Sequence, residues 1–260
     1  MVPSTVRNYL SGVRVLHIFH GLSFMHPKDF FLQLELRGIA RLDPHVPVRA
    51  TPVTPSVLLS FRKHMNMQDS LHCCVWACSL FCFFTMARLG SILPRGKTTQ
   101  LHTILTRDRI NFSKEGILIT LLHTKTIQFG KRRLHIPLMR NDSPLCPVKA
   151  YERILATIPT QEAGPAFQFS DKGVSKVLTR SNFIKTFRAV LKSAGVKDAA
   201  TFTGHSFRRG GATWAFQVGI PGELIQICGD WVSDAYKRYL EFTMQDKLNL
   251  AAQLVRHLPS

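Results

Sequence analysis

The amino-terminal part of the chain has the hydrophobic spacing of amphipathic helices. Behind Pro3-Ser4-Thr5, apolar residues follow at helical spacing: Val6, Tyr9, Leu10, Val13, Leu16 and Phe19. This pattern predicts an N-capped helix, and the apolar segment 30–36 indicates a second one. Four prolines within 43–55 then mark a linker. We therefore expect a small helical domain over 1–48, marginal as an independent core, and a larger domain over 49–260.

The larger domain alternates between helical and strand-like patterns. Helices are predicted over 55–66, 70–93, 146–157, 174–194, 205–218, 222–228, 231–243 and 245–257. The period shortens between 101 and 138, and there the pattern predicts a strand, a turn and a returning strand over 117–122, 126–131 and 134–138. Phe207 and Trp214 lie seven positions apart in one predicted helix, so both are expected in the core. The predicted fold class is mainly α with one small antiparallel β-sheet, an α+β fold.

The chain carries a large excess of positive charge. Its 260 residues include 34 Lys and Arg against 16 Asp and Glu, a formal net charge of +18, and 45% of the residues are hydrophobic. That hydrophobic content argues against a disordered or fibrous protein. Between 88 and 140, eleven basic residues face only two acidic ones. Such a concentration favours a polyanionic partner, because each neutralised phosphate releases counterions and adds to affinity.

The cysteines are better explained by packing than by metal binding. Cys74, Cys78 and Cys82 recur every four residues in the most apolar segment of the chain. Zinc ligands usually converge from turns as CxxC pairs, so these thiols are expected in a helix core and no metal is predicted. Free thiols favour a reducing compartment, and the apolar run 73–87 is too short to cross a membrane. We expect a soluble intracellular protein without a membrane partner.

Three segments combine basic side chains with potential chemistry. In 86–93, Arg88 closes a long apolar run. In 204–213, His205 and Arg208 are three positions apart and would share one face of a helix. In 228–240, Tyr239 follows Gly229 by ten positions. Each segment alone occurs by chance in many proteins, so the information lies in their order.

In this order the three segments resemble those of the tyrosine recombinases, the phage-integrase family. Lys125 and the segment 136–138 are similar to that family's β-hairpin lysine segment, and 4–14 resembles part of its core-binding domain. The pattern Gly229-x-Trp231-x-Ser233-Asp234-Ala235-Tyr236-x-x-Tyr239 is similar to recombinases of eukaryotic mobile elements of the DIRS and Crypton kinds. The resemblance implies a partial helical core-binding (SAM-like) DNA-binding domain over 1–48, a recombinase catalytic domain over 49–260, and a nuclear location.

The resemblance also implies a nucleophile and its charge stabilisation. Cleavage of a phosphodiester without metal or water needs a covalent nucleophile that stores the bond energy. Tyr239 would take this role by forming a 3′-phosphotyrosine. Arg88 and Arg208 would hold the non-bridging oxygens, because the planar guanidinium binds phosphate through two hydrogen bonds.

Proton transfer falls to two further residue types. A group that titrates near neutrality suits transfer of the tyrosine proton, which is the role implied for His205. A lysine on the hairpin would protonate the departing 5′-oxygen. Lys125 matches the family motif, and Lys131 at the predicted turn is the alternative.

Two positions depart from the family pattern. The residue nine positions before the nucleophile is usually His or Trp, and here it is Asp230. Trp231 is expected to take over that contact through its indole N–H, whereas an inward-pointing Asp230 would repel phosphate. The often acidic position three after the first arginine is Ser91, a milder change. Tyr236 is the alternative nucleophile, but the spacing favours Tyr239.

Other basic residues near these motifs are expected to contact DNA: Arg95, Lys97, Arg132, Arg133 and Arg209.

No cofactor is expected, because each step is a nearly isoenergetic transesterification. The resemblance implies double-stranded DNA as partner and a homotetramer during strand exchange, with the apolar segment 248–258 docking onto a neighbour. Two alternatives stay open: a domesticated, catalytically impaired DNA-binding protein of the same fold, and a monomeric topoisomerase of the type IB kind.

Overall fold

The computed structural model describes residues 3–24, 28–42, 49–96, 98–128, 131–158 and 163–241, together with 244, 248 and 252. The chain divides into two compact units, Met1–Arg49 and Ala50–Ser260. The division lies one residue after the boundary expected from the prolines. The DNA-binding role of the first unit stays a prediction.

The described residues of the first unit form two helices, α1 (Pro3–Phe19) and α2 (Phe30–Leu42). Among the residues of this unit that the structure describes, Leu36 is the one buried hydrophobic side chain. Phe19 and Leu42 are 83% and 89% exposed. A unit of this size buries little apolar surface, as expected for a chain segment of about fifty residues.

The second unit is built around one apolar helix. Its helices are α3 (Pro55–Lys63), α4 (Ser70–Thr85), α5 (Leu89–Ile92), α6 (Pro147–Thr157), α7 (Arg180–Ser193), α8 (Gly204–Gln217) and α9 (Gly222–Cys228). Twelve of the sixteen residues of α4 are buried, Cys74, Cys78 and Cys82 among them, so it forms the centre against which α6 and α8 pack. The structure therefore places these thiols in the core as predicted. None of the described helices is both long and apolar enough to cross a bilayer.

The predicted helix 70–93 is broken between α4 and α5. Met86 adopts a left-handed backbone conformation with φ of 50°, and its carbonyl accepts a hydrogen bond from Arg208. The Thr85 hydroxyl donates to the Phe81 carbonyl at 2.7 Å and accepts from the Ala87 N–H at 3.2 Å. The bonds to the Met86 carbonyl and from the Ala87 N–H satisfy backbone groups just beyond the helix end, where intrahelical partners are missing.

Two antiparallel sheets occur within the described part of the second unit. The first pairs β1 (Ile110–Phe112), β2 (Gly116–Leu121) and β3 (Leu134–Met139) in that spatial order, which agrees with the predicted strand, turn and returning strand. The second pairs β4 (Gln168–Asp171) with β5 (Val174–Val177). The prediction of a single sheet and of a helix from 174 was wrong there. Lys172 and Gly173 both have positive φ, the backbone that a tight two-residue hairpin requires.

The last motif is not an α-helix. The predicted helix 231–243 is replaced by a 3₁₀ turn, Asp234–Tyr239, flanked by extended residues at Ser233 and Leu240. The predicted helix 245–257 lies outside the described residues except at 248 and 252. Phe207 is fully buried as expected, whereas Trp214 is 40% exposed and is not a core residue.

Candidate active site

The start of helix α8 presents His205 and Arg208. A capping box begins the helix: the Thr203 hydroxyl accepts from the His205 N–H at 3.2 Å, and the Ser206 hydroxyl accepts from the Thr203 N–H at 2.9 Å. His205 is exposed at the edge of the site, while Arg208 is 1% exposed one turn further in. The helical spacing thus places both on one side, as the sequence predicted.

Glycines bring α8 close to the other elements of the site. A Cβ at Gly211 would lie 2.1 Å from the Phe83 carbonyl oxygen, so the helix backbone packs directly on the end of α4. A Cβ at Gly204 would lie 3.0 Å from the Leu89 side chain. Arg88, the residue that precedes α5, is therefore carried next to the start of α8.

Arg208 is the centre of this cluster. One of its terminal nitrogens donates to the Met86 carbonyl, and its Cζ lies 3.7 Å from the centroid of the Trp231 ring. Its Nε and Nη2 are buried and form no hydrogen bond of normal geometry among the described residues, although the nearby Tyr239 hydroxyl acts to raise the pKa of Arg208. Burial, followed by the charge of Arg88, lowers the pKa of Arg208 to about 10, so it remains cationic at neutral pH. A buried cation with two free donors is a site for an anion.

Trp231 supplies a third unpartnered donor. Its side chain is buried, and its Nε1 has no hydrogen-bond partner within the part of the chain that the structure describes. The ring lies directly against Gly229, where a Cβ would stand 1.6 Å from Trp231 Cζ3. The glycine at the end of α9 is therefore required for the position of the indole.

The two candidate nucleophiles occupy different environments. Tyr236 is 7% exposed, and its hydroxyl packs against Gly222, where a Cβ would lie 2.3 Å from it. Tyr239 is only half-buried, with its ring centroid 5.4 Å from that of Trp231 and 6.4 Å from that of His205. The Thr213 hydroxyl donates to the Tyr239 carbonyl at 3.0 Å and ties it to α8. Tyr236 also lies near Trp231, with ring centroids 6.2 Å apart, so the two tyrosines differ in exposure and in the contact of Tyr239 with His205. The sequence contained no signal for Thr213.

His205 stands in a positive field. Partial desolvation lowers its pKa, and so do three neighbouring positive charges, those of Arg208, Arg88 and Lys125. The imidazole is therefore neutral at pH 7 and can accept a proton. Lys125 is exposed on the loop between β2 and β3, and its charge acts on His205, so the two belong to one cluster. Lys131 is exposed later in the same loop.

Asp230 is buried, and its carboxylate is bound by three side chains, a partnership that the sequence did not predict. It accepts from the Thr124 hydroxyl at 2.6 Å and also from the Thr126 hydroxyl and the Arg132 guanidinium. Burial would raise the pKa of Asp230, but these three hydrogen bonds together lower it. Asp230 is therefore an anion bound to the hairpin loop. Thr124 and Thr126 stand beside Lys125 in the sequence, which was the only available signal for them.

The residues predicted to contact DNA differ in their exposure and in their charge partners. Arg95 and Arg133 are exposed, and Arg132 is half-exposed with its charge paired to Asp230. Arg209 is not at the surface, because its side chain is 8% exposed and forms an ion pair with Glu241 at 2.7 Å. Lys97 lies outside the described residues.

Two remaining expectations concern Ser91 and metal binding. Ser91 is buried in α5, and its N–H donates to the Arg88 carbonyl at 2.8 Å, which shapes the turn that carries Arg88. Within the described ranges, no group of three or more His, Cys, Asp or Glu side chains is placed to hold a metal ion.

Comparison with solved structures gives the fold. The Tn1549 transposon integrase in complex with a circular intermediate DNA matches with a TM-score of 0.59 and 14% identity, over 96% of this chain and 78% of that one. XerA recombinase matches with a TM-score of 0.55 and 17% identity, over 100% of this chain and 85% of that one. The chain has the fold of the tyrosine recombinases. This confirms the predicted α+β fold class.

A tyrosine recombinase in complex with its substrate is also similar in fold to this chain. The post-cleavage complex of XerH site-specific recombinase with a palindromic difH substrate matches with a TM-score of 0.56 and 16% identity, over 81% of this chain. It covers 53% of the XerH chain, so this chain spans about half of that protein's length. No protein-family model and no curated protein sequence matches the chain. At these identities the likeness concerns the fold alone.

Proposed function

We propose that this protein cleaves and rejoins DNA strands as a site-specific recombinase or integrase, through a 3′-phosphotyrosine on Tyr239. The observation that carries the proposal is the set of buried, unpartnered donors on Arg208 and Trp231 beside the Tyr239 ring. Unpaired buried donors are costly, and a phosphate held between them would satisfy all three. The recombinase fold supports the same assignment.

The strand transfer balances without a cofactor. Tyr239 Oη attacks the phosphorus while its proton passes to the neutral His205. The bond from phosphorus to the 5′-oxygen breaks, and that oxygen takes a proton from Lys125. Arg88, Arg208 and the Trp231 indole N–H stabilise the charge on the non-bridging oxygens. The reverse attack by a 5′-hydroxyl reseals the strand and frees Tyr239.

Double-stranded DNA is the proposed partner, and a homotetramer is the proposed state during strand exchange. The XerH and Tn1549 integrase structures both contain DNA, which supports the DNA partner for a chain with the same fold and a net charge of +18. The homotetramer rests only on the resemblance of the motifs to the recombinase family. The DIRS- and Crypton-like pattern at 229–239 supports a role in a eukaryotic mobile element and hence in the nucleus.

Adduct trapping tests the cleavage step. Duplex DNA that binds the protein would first be selected from a randomised library. A nick placed close to each possible cleavage position then lets the short fragment released by cleavage diffuse away, so that the covalent complex accumulates. We expect a protein–DNA adduct for the wild type and for Tyr236→Phe, and none for Tyr239→Phe, with all three binding the duplex equally.

The other outcomes distinguish the alternatives. Binding without an adduct on any selected duplex would favour a DNA-binding protein that has lost cleavage, the alternative motivated by Asp230 at the position nine before Tyr239. Relaxation of supercoiled plasmid by monomers without sequence preference would favour a topoisomerase. An adduct retained in Tyr239→Phe and lost in Tyr236→Phe would contradict the assignment of the nucleophile.

A further inference from the structure

One buried carboxylate holds both sides of the loop that carries Lys125. The Thr124 and Thr126 hydroxyls donate to Asp230 Oδ2 from the start of the loop between β2 and β3, and Arg132 donates to Oδ1 from its end. More than ninety positions separate Asp230 from each of these residues in the sequence. The contact therefore joins two elements that share no local structure.

The first side of the loop is a turn built around Lys125. The Thr124 hydroxyl accepts from the backbone N–H groups of Thr126 and Ile127, at 3.1 and 3.0 Å, and the Thr124 N–H donates to the Ile127 carbonyl at 3.1 Å. A hydroxyl can accept two hydrogen bonds and donate one, and the Thr124 hydroxyl donates its one hydrogen bond to Asp230. Ile127 is fully buried and anchors the turn, while Lys125 itself is exposed.

The other side of the contact is the segment that carries Trp231 and Tyr239. Asp230 directly precedes Trp231 and has a left-handed backbone with φ of 55°, a conformation that Asp adopts more readily than most residues. Its N–H donates to the Ile227 carbonyl at 3.1 Å, which fixes it at the end of α9. The carboxylate is directed into the loop, where its hydrogen-bond partners lie.

The negative charge of the buried Asp230 carboxylate is balanced by the groups that contact it. An ionised carboxylate accepts hydrogen bonds only, and this one receives two hydroxyls and one guanidinium, so it is well satisfied although it is buried. Burial opposes the anionic form, and the three donors more than offset it, so the pKa of Asp230 is lowered. Pairing with Arg132 also offsets the negative charge that would otherwise repel a phosphate.

We propose that Asp230 is a positioning residue that fixes the Lys125 loop to the Trp231–Tyr239 segment, so that Lys125 reaches the departing 5′-oxygen. This inference rests on the proposed function and assigns a role to the position at which the family pattern has His or Trp. Asp230 itself touches no reacting atom. Its effect on cleavage is exerted through Lys125.

A DNA substrate whose leaving group needs no general acid tests whether Asp230 acts through Lys125. In a duplex with sulfur in place of the bridging 5′-oxygen, the leaving group departs as a thiolate, because a thiol is far more acidic than an alcohol. We expect Asp230→Asn to slow adduct formation on ordinary DNA by about tenfold or more, and to differ from the wild type by less than about threefold on the sulfur-containing DNA. Lys125→Ala should show the same pattern.

The loop side offers a second variant and the chain offers a matched control. Thr126→Val removes one hydroxyl that binds Asp230 and should reproduce the Asp230→Asn pattern. Asp234→Asn changes an exposed carboxylate of the same segment, whose described ion pair is with Lys237, and should leave both rates unchanged. A defect that is equally large on both DNA substrates would overturn the proposal, as would ordinary cleavage at the wild-type rate in Asp230→Asn.

A measurement on the free protein is independent of cleavage. Hydrogen exchange at the Thr126 and Ile127 amides should accelerate by about tenfold or more in Asp230→Asn and stay unchanged in Asp234→Asn. Unchanged exchange in Asp230→Asn would overturn the ordering of the loop by Asp230. A wild type that forms no adduct with either DNA would instead contradict the proposed function, and the exchange rates would still decide whether Asp230 orders the loop.

Discussion

The guanidinium of Arg208 lies over the indole of Trp231, with Cζ 3.7 Å from the ring centroid. Both side chains are buried, and each keeps a hydrogen-bond donor without a partner among the described residues. A desolvated cation–π contact of this kind contributes about 2 kcal/mol, which holds the arginine in place before any anion binds. The two residues form one preorganised platform beside Tyr239.

Replacing Trp231 by Phe should separate the ring from its N–H. Trp231→Phe keeps an aromatic face under Arg208 but removes the donor, so we expect cleavage at saturating DNA to slow by about 10²-fold. The free energy of unfolding should fall by about 1–3 kcal/mol, because a buried ring becomes smaller. Single-turnover adduct formation and urea unfolding measure the two effects. Trp214→Phe, at a position 40% exposed, should change neither rate nor stability appreciably, and an equal loss of cleavage there would contradict the assignment.

Replacing Arg208 by Lys should separate cleavage from binding. Lysine keeps the positive charge but loses the planar fork, so adduct formation should fall by about 10²-fold or more. DNA affinity should change by only a few fold, because other basic residues supply most phosphate contacts. The checks are a binding titration and a single-turnover rate on the same duplex. Arg133→Ala should show the opposite behaviour, and a proportional loss of affinity and rate in Arg208→Lys would contradict this division.

The lowered pKa of His205 sets the acid side of the pH profile. Because the neutral imidazole is the form that accepts the tyrosine proton, cleavage is lost as pH falls through the pKa of His205 in the folded protein. That pKa lies below the ordinary value of about 6.5, so the rate at subsaturating DNA should stay level down to about that pH and decline only below it. His205→Ala should remove this decline. A decline centred above 6.5 that disappears in His205→Ala would contradict the lowered pKa.

A methyl group at Gly210 should disrupt the packing of α8. Its Cβ would stand 1.8 Å from the Val53 carbonyl oxygen, a backbone atom that cannot rotate away as the end of a side chain could. We expect Gly210→Ala to lower the free energy of unfolding by about 1–3 kcal/mol. Gly96→Ala, where nothing lies within 4 Å, should change it by less than about 0.5 kcal/mol. Urea denaturation of both variants measures the difference, and equal stabilities would refute the close approach.

Salt dependence should distinguish exposed from buried arginines. Arg95 and Arg133 are exposed, so replacing either by Ala should reduce the slope of log affinity against log salt by about one if it neutralises a phosphate. Arg209 is buried and paired with Glu241, so Arg209→Met should leave that slope unchanged and lower stability instead. Binding titrations at several salt concentrations measure the slopes. A reduced slope for Arg209→Met would place that arginine on the DNA.

Local pattern was sufficient for the central helix and for two of the three strands of the first sheet. The apolar run around Cys78 predicted a buried helix, and α4 is one, because a helix that is apolar on all sides must lie in a core. Strands β2 and β3 were predicted because their apolar pattern and the turn between them are encoded within a few residues, whereas the three-residue strand β1 was not predicted. The second hairpin was missed because β5 carries mostly exposed residues, so hydrophobic spacing gave no strand signal there.

By itself, the sequence determined the residue types of the site, their order along the chain and the mainly α fold. The tertiary structure alone decided which charges are buried and what they bind. Asp230 and Arg209 looked alike as charged residues beside a motif, yet one binds Thr124 from 106 positions away and the other pairs with Glu241. Burial and partnership of a charge depend on which distant segments meet it, and the energy of an ion depends far more on that surrounding than on its neighbours in sequence.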